Sequence, residues 1–508
     1  MRISALFCLI LLTVTSLHGQ VSTPSFKSYY PVSPVLKGVR HNQLLRLGIY
    51  VPPGQSIKIR NIYSSLNSDA VSKIEQLEIF YTGNEAQFNT EKKLGTAVVR
   101  KSFVIQTDIM LNQGWHYLWY TTSLKDDADI SGAIDFYCEQ LEDASGKKYK
   151  LDKPTSPKRI GVAIRKAGDN NVHTYRIPGI TTTDKGTLIA VYDIRYNNSA
   201  DLPGNVDVGM SRSTDGGNAW QPMKIIMDMG APHEDNGIGD PAILFDPATK
   251  KIWVAALWSK GNRSIAGSGP GLSPDETGQF VLVNSADDGA TWSEPINITT
   301  QVKNPEWRLF FQGPGNGMVM QNGTLVFPAQ YWDAAKMPHA TIIYSNDQGK
   351  TWKSGVGAKA NTTESQVIET TPGTLMLNMR DNRGEYRSVY TTTDYGKTWA
   401  EHITSYNILR DPVCMAGFMK SSIATGSKKN GLVFFSNCNS SVARQDMTIK
   451  ASLDLGETWK TGNQLLIDER KTFGYSALTQ INSNSIGLIY EGIRDIYFVR
   501  VPVADIIK

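Results

Sequence analysis

Short runs of alternating or wholly apolar residues, separated by turn residues, mark the chain throughout. Gln76-Leu-Glu-Ile-Phe-Tyr81 and Ala97-Val-Val-Arg-Lys-Ser-Phe-Val-Ile105 are examples from the first third, with Thr82-Gly-Asn84 between them. Thr341-Ile-Ile-Tyr344 and Thr448-Ile-Lys-Ala451 come later. Runs of this kind bounded by Gly, Pro and Asn predict β-strands. Trp115-His-Tyr-Leu-Trp119 fits a strand with one face in a core. Its aromatics would also suit a platform for a sugar ring. Asp152-Lys-Pro-Thr-Ser-Pro157 has two prolines and no apolar anchor. It predicts a linker, with a domain boundary near residue 155.

After that boundary an octapeptide recurs between the strand-like runs. Ser213-Thr-Asp215-Gly-Gly217-Asn-Ala219-Trp220 is followed by Ser285-Ala-Asp287-Asp-Gly289-Ala-Thr291-Trp292 and by Ser345-Asn-Asp347-Gln-Gly349-Lys-Thr351-Trp352. Thr392-Thr-Asp394-Tyr-Gly396-Lys-Thr398-Trp399 and Ser452-Leu-Asp454-Leu-Gly456-Glu-Thr458-Trp459 complete the set. Only Ala219 and Thr392 depart from the pattern S-x-D-x-G-x-T-W. Each copy reads as a hairpin turn. The Asp carboxylate accepts bonds from backbone N–H groups of its own turn, Gly supplies positive φ, and Trp anchors the hairpin end. The Trp positions average about 60 residues apart, so residues 160–508 hold about six units. Repeated multi-stranded units predict a β-propeller, here six-bladed. The expected architecture is all-β: a β-sandwich-like domain over 23–155 and a six-bladed propeller over 158–508.

The beginning of the chain reads as an address. Met1-Arg2 is positive, Ala5 to Leu12 is apolar but too short to span a bilayer, and Gly19 offers a small residue for cleavage. Residues 1–20 are therefore expected to be a signal peptide, with secretion across the inner membrane to the periplasm or the exterior. No later segment is long enough for stable membrane insertion. Of 508 residues, 20% are charged and the net charge is +4, too mild for a nucleic-acid binder. Four Cys exclude a disulfide scaffold. Cys138, Cys414 and Cys438 follow the signal peptide; three is odd, so at least one thiol is free, and Cys414 with Cys438 is a possible pair. No motif has metal-ligand spacing, no cofactor is implied, and no motif sets an oligomeric state.

Tyr175-Arg176-Ile177-Pro178, the five turns and the order of charged residues after them resemble the bacterial sialidases (neuraminidases) of glycoside hydrolase family 33. The resemblance covers roughly residues 160–508, and in that family the turns are called Asp boxes. It implies an exo-α-sialidase acting on terminal sialic acids of glycoproteins, gangliosides and oligosaccharides. Three arginines, Arg176, Arg380 and Arg444, would hold the substrate carboxylate, with Arg383 and Arg387 as alternatives to Arg380. A guanidinium fork pairs a carboxylate bidentately and stays charged. Asp201 resembles the general acid/base, Tyr475 the nucleophile and Glu364 the base that takes its proton. Glu491 resembles the acid that orients Arg176, while Arg195 and Asp240 match positions that contact the sugar ring. Gln312-Gly-Pro-Gly315 resembles another segment near the site. The same residues would serve a trans-sialidase or an intramolecular trans-sialidase, and the turns alone would serve a non-catalytic glycan-binding propeller.

Overall fold

The computed structural model describes residues 23–424 and 431–508. The expected signal peptide lies outside the described residues.

The first part is two antiparallel sheets face to face. One has the order Ser25–Tyr29, Asn42–Val51, Gly114–Leu124, Ile74–Tyr81, Lys93–Ala97. The other has the order Lys148–Lys150, Phe136–Asp143, Ile57–Leu66, Ser102–Leu111. Leu47, Ile49, Ile62, Ile79, Leu118 and Tyr120 are buried among the core residues of this part. The run Ala97–Ile105 is two strands in different sheets, not one. The chain crosses between sheets at residues 98–101 with Val98 exposed, and no Gly or Pro marks the break. Within Gly114–Leu124, period two puts Leu118 and Tyr120 on the core face and Trp115, Tyr117 and Trp119 on the other, where Trp115 is exposed and Trp119 is covered.

Among the described residues six further sheets follow in chain order, with a two-stranded ribbon between the fourth and fifth. Their inner strands form a ring. Thr174–Thr182 touches Asn236–Asp246, which touches Leu309–Gln312. Leu325–Trp332 of the third sheet touches Thr362–Glu369, then come Gly417–Ser421 and Ser476–Gln480, which returns to Thr174–Thr182. The ring closes where Lys158–Arg165 pairs antiparallel with Ile496–Pro502 in the last sheet. This is a propeller. Val35–Lys37, from the sandwich side, adds a parallel strand to the edge of that closing sheet, with Ile160 opposite Val35.

The five octapeptides are turns that also join sheets. In the third, Ser345 Oγ and Thr351 Oγ1 donate to Asp347 at 2.8 and 2.6 Å, and Thr351 N donates at 2.9 Å. In the first, Ala219 N keeps the backbone bond to Asp215 but no hydroxyl exists to add the second. The turn glycines press on the preceding sheet. Gly349, at φ +84, leaves no room for a Cβ against Trp253, and Gly217, at φ +93, none against Phe498. Asp288 in the second turn accepts from Thr183 and Thr187 of the first sheet at 2.7 and 2.8 Å. Each turn is local in sequence and interlocking in space.

Candidate active site

The cleft lies where inner strands meet, and its first component is a strained turn. Arg176 sits on Thr174–Thr182 just before a register break against Leu188–Arg195. Ile177 there has φ 57, a region β-branched residues avoid. Glu491, wholly buried at the end of Ser485–Glu491, secures this turn. Its Oε1 accepts from Ile177 N at 2.9 Å and Arg176 Nε at 3.1 Å, and its Oε2 accepts from Tyr475 N at 2.9 Å. One carboxylate thus aims an arginine and anchors the backbone of the tyrosine. Burial opposes the charge on Arg176, but the Glu491 and Asp201 carboxylates more than restore it.

Tyr475 is the hub. Its phenol donates a short hydrogen bond to Glu364 Oε1. The other Glu364 oxygen accepts from Arg380 Nη1 at 2.7 Å, and the same nitrogen lies 3.2 Å from the phenol oxygen. The guanidinium carbons of Arg176 and Arg444 stand 5.2 and 5.8 Å from the centre of the Tyr475 ring. Arginines from two strands and one loop therefore surround the Tyr475 side chain, with Arg380 at its hydroxyl. Burial and the Glu364 charge push the Tyr475 phenol well above its ordinary range, so it is neutral in the resting cleft. Arg383 turns away to Asp381 at 2.8 Å, and Arg387 is buried behind the cleft, which leaves Arg380 as the arginine of this strand that faces it.

Asp201 stands across the cleft on an exposed loop. Its Oδ1 accepts from Arg195 Nη1 at 2.7 Å and Arg176 Nη1 at 3.2 Å. Desolvation in the cleft works against its charge, but the two arginines win and hold its carboxyl below the usual range. Arg195 is itself clamped by Asp193, its neighbour on the same strand face, at 2.8 and 3.1 Å. Asp201, Asp240, Glu364, Arg380 and Tyr475 share a cavity of about 250 Å³. Arg444 does not line that cavity; it donates to the carbonyls of Phe473 and Val413 at 2.9 and 3.1 Å.

The BNR repeat-like domain family matches residues 186–489, and the N-terminal domain of BNR-repeat neuraminidase matches residues 25–147. A sialidase of Bacteroides fragilis is 40% identical over 94% of both chains. The chain belongs to the sialidase family. A Micromonospora viridifaciens sialidase is 31% identical over 64% of this chain and 50% of its own. The solved structure of a Hadza microbial sialidase superposes with a TM-score of 0.88 at 38% identity, covering 95% of this chain and all of the other. This sialidase is an exo-α-sialidase, a glycoside hydrolase.

The sialidase cleft also holds contacts that motifs do not give. Burial and the neighbouring Asp193 and Asp201 carboxylates push the Asp240 carboxyl well above its ordinary range. Asp240 sits at φ 58, and its N donates to Asp193 at 2.8 Å. Gln312, from the Gln312-Gly-Pro-Gly315 segment, donates to the Asp240 carbonyl at 2.5 Å. Gln330, in the cavity wall, belongs to no motif, and its Oε1 is buried without a partner. Arg380 Nε is likewise buried and unpaired. Such orphaned groups are costly until something bonds them. Among the described residues no cluster of His, Cys, Asp or Glu is placed to hold a metal ion. Cys138, Cys414 and Cys438 are all buried and free, so the possible Cys414–Cys438 pair does not form.

Proposed function

We propose that this sialidase removes terminal α-linked sialic acids from glycoproteins, gangliosides and oligosaccharides outside the inner membrane. Cleavage would proceed with retention, through a covalent bond to Tyr475. The observation that carries the reading is the Tyr475–Glu364 hydrogen bond ringed by Arg176, Arg380 and Arg444. A carboxylate nucleophile would approach an anomeric carbon that already bears a carboxylate. A neutral phenol avoids that repulsion and is activated only as Glu364 accepts its proton. Sialidases with a tyrosine nucleophile depart from the two-carboxylate scheme in this way.

Asp201 is the general acid/base of this scheme. Two arginines hold its carboxyl below the usual range, which favours the wrong state for an acid. The substrate carboxylate competes for Arg176 and adds a like charge beside Asp201. Both effects raise its pKa at the moment a proton is needed. Asp201 then protonates the leaving glycosidic oxygen and later activates water. Arg195 and Asp240 contact ring substituents.

Proton NMR of the reaction with sialyllactose tests this. Free sialic acid appearing first as the α-anomer supports hydrolysis with retention. The β-anomer first overturns the tyrosine intermediate, and an anhydro sugar or a new sialoside overturns hydrolysis.

A further inference from the structure

We propose that Arg387 is a positioning residue for the Tyr475–Glu364 pair. It rests on the reading of Tyr475 as nucleophile and Glu364 as its base. Arg387 has no exposed surface, yet it spends its guanidinium on the backbone around the site. Nε donates to Asn378 Oδ1 at 2.7 Å, and Nη1 donates to the Cys414 carbonyl. Nη2 reaches the carbonyls of Asn378 and Glu364 at 3.2 and 3.4 Å. The base's own backbone is therefore one of its acceptors.

The turn it grips is strained. Val413, β-branched, has φ 58, a conformation that persists only where the surroundings over-determine it. Arg444 Nη2 takes the Val413 carbonyl at 3.1 Å while Arg387 takes the next one. Asp411 Oδ1 accepts from Cys414 N at 2.7 Å, and its other oxygen lies 3.7 Å from Arg387 Nη1, balancing the buried charge. Cys414 and Met415 then pack against Ile177 and Tyr475. So Arg387 joins the strand of the base to the turn that backs the nucleophile. A buried ion pair is a poor way to add stability, because apolar residues fill such space at lower desolvation cost. Its five fixed donors do suit the task of holding several carbonyls in one plane, which a lysine cannot do.

The test uses the full chain with 2,3-difluorosialyl fluoride. In the labelling step Tyr475 Oη bonds to C2, fluoride leaves, and Glu364 takes the phenol proton. The labelling rate is read by intact mass and the site by peptide mapping. Affinity for an unsaturated sialic acid analogue is measured separately by calorimetry. Arg387→Lys is the main variant. Asn378→Ala, which keeps the Arg387–Asp411 pair, decides the matter if Arg387→Lys does not fold. Misplacing reacting atoms by about 1 Å slows labelling roughly 10- to 100-fold, with analogue affinity unchanged. Wild-type labelling rates in a folded variant overturn the proposal. So does a parallel loss of labelling and affinity, which marks a general collapse of the cleft. Failure of the wild-type enzyme to label at Tyr475 overturns the nucleophile reading instead.

Discussion

Asp287, in the turn beyond one strand of the second propeller sheet, and Asp240, within that sheet's inner strand, have their charges treated in opposite ways. Asp287 and Asp347 are pulled down to about 2 by the hydroxyl and the N–H of a threonine four residues on. Asp394 reaches about 2 through the N–H and hydroxyl of Thr398. Asp240 is driven up by burial and by Asp193, 47 residues earlier in the chain. The turn aspartates find donors within their own octapeptide and are stabilised as anions. The cleft aspartate meets other carboxylates that only the ring brings near. Frame and cleft thus hold one residue type in opposite ways: an anion that organises backbone, and a carboxyl whose surroundings disfavour its charge.

The sharpest break between them is catalytic. Tyr475→Phe should lower turnover of an aryl sialoside roughly a thousandfold or more while circular dichroism and Tm stay unchanged. Full activity in that variant would end the nucleophile assignment. Asp201→Ala should cost roughly 10²–10⁴-fold on sialyllactose. Its loss should be much smaller on a nitrophenyl sialoside, whose leaving group needs no proton. Equal losses on both substrates would remove Asp201 from the acid role.

Asp240 offers a finer comparison. If its carboxyl works as a proton donor, Asp240→Asn should stay within roughly tenfold of wild type in kcat/KM, and Asp240→Ala should fall further. Equal losses in the two would contradict a protonated Asp240. The smallest effect belongs to the frame. Asp347→Ala should leave kcat/KM alone and lower Tm by about 1–3 °C near neutral pH. The folded pKa of Asp347 is depressed, so its contribution is present above the unfolded value of about 4. That contribution fades as pH falls toward about 2. Thermal scans of both proteins from pH 6 to pH 2 should therefore converge, and a constant gap would show that the turn does not depend on the carboxylate charge.

Legibility followed the range of the interactions. Ser345, Asp347, Gly349 and Thr351 bond one another within seven residues, so their spacing alone announced a turn. Arg176, Arg380 and Tyr475 stood out because their motifs resemble a family. Arg387 was visible only as an alternative to Arg380; its buried grip on Cys414 and Glu364 spans 27 and 23 residues and leaves no local mark. Asp193 accepts from Asp240 N across 47 residues, and nothing near either residue in the chain marks that contact. The strand break at residues 98–101 was missed because Val-Val-Arg-Lys contains no turn former.

The sequence by itself determined the all-β class, the repeated turns and the residue types needed for glycoside chemistry. Those depend on contacts between near neighbours and on side-chain chemistry, both written in local order. Only the tertiary structure decided which arginine of three near 380 faces the cleft. It also decided that Asp240 is pushed toward the protonated state and that Val35–Lys37 joins the closing sheet. Charge, burial and strand pairing at those points are set by groups far away in the chain, and the closed ring is what brings them together.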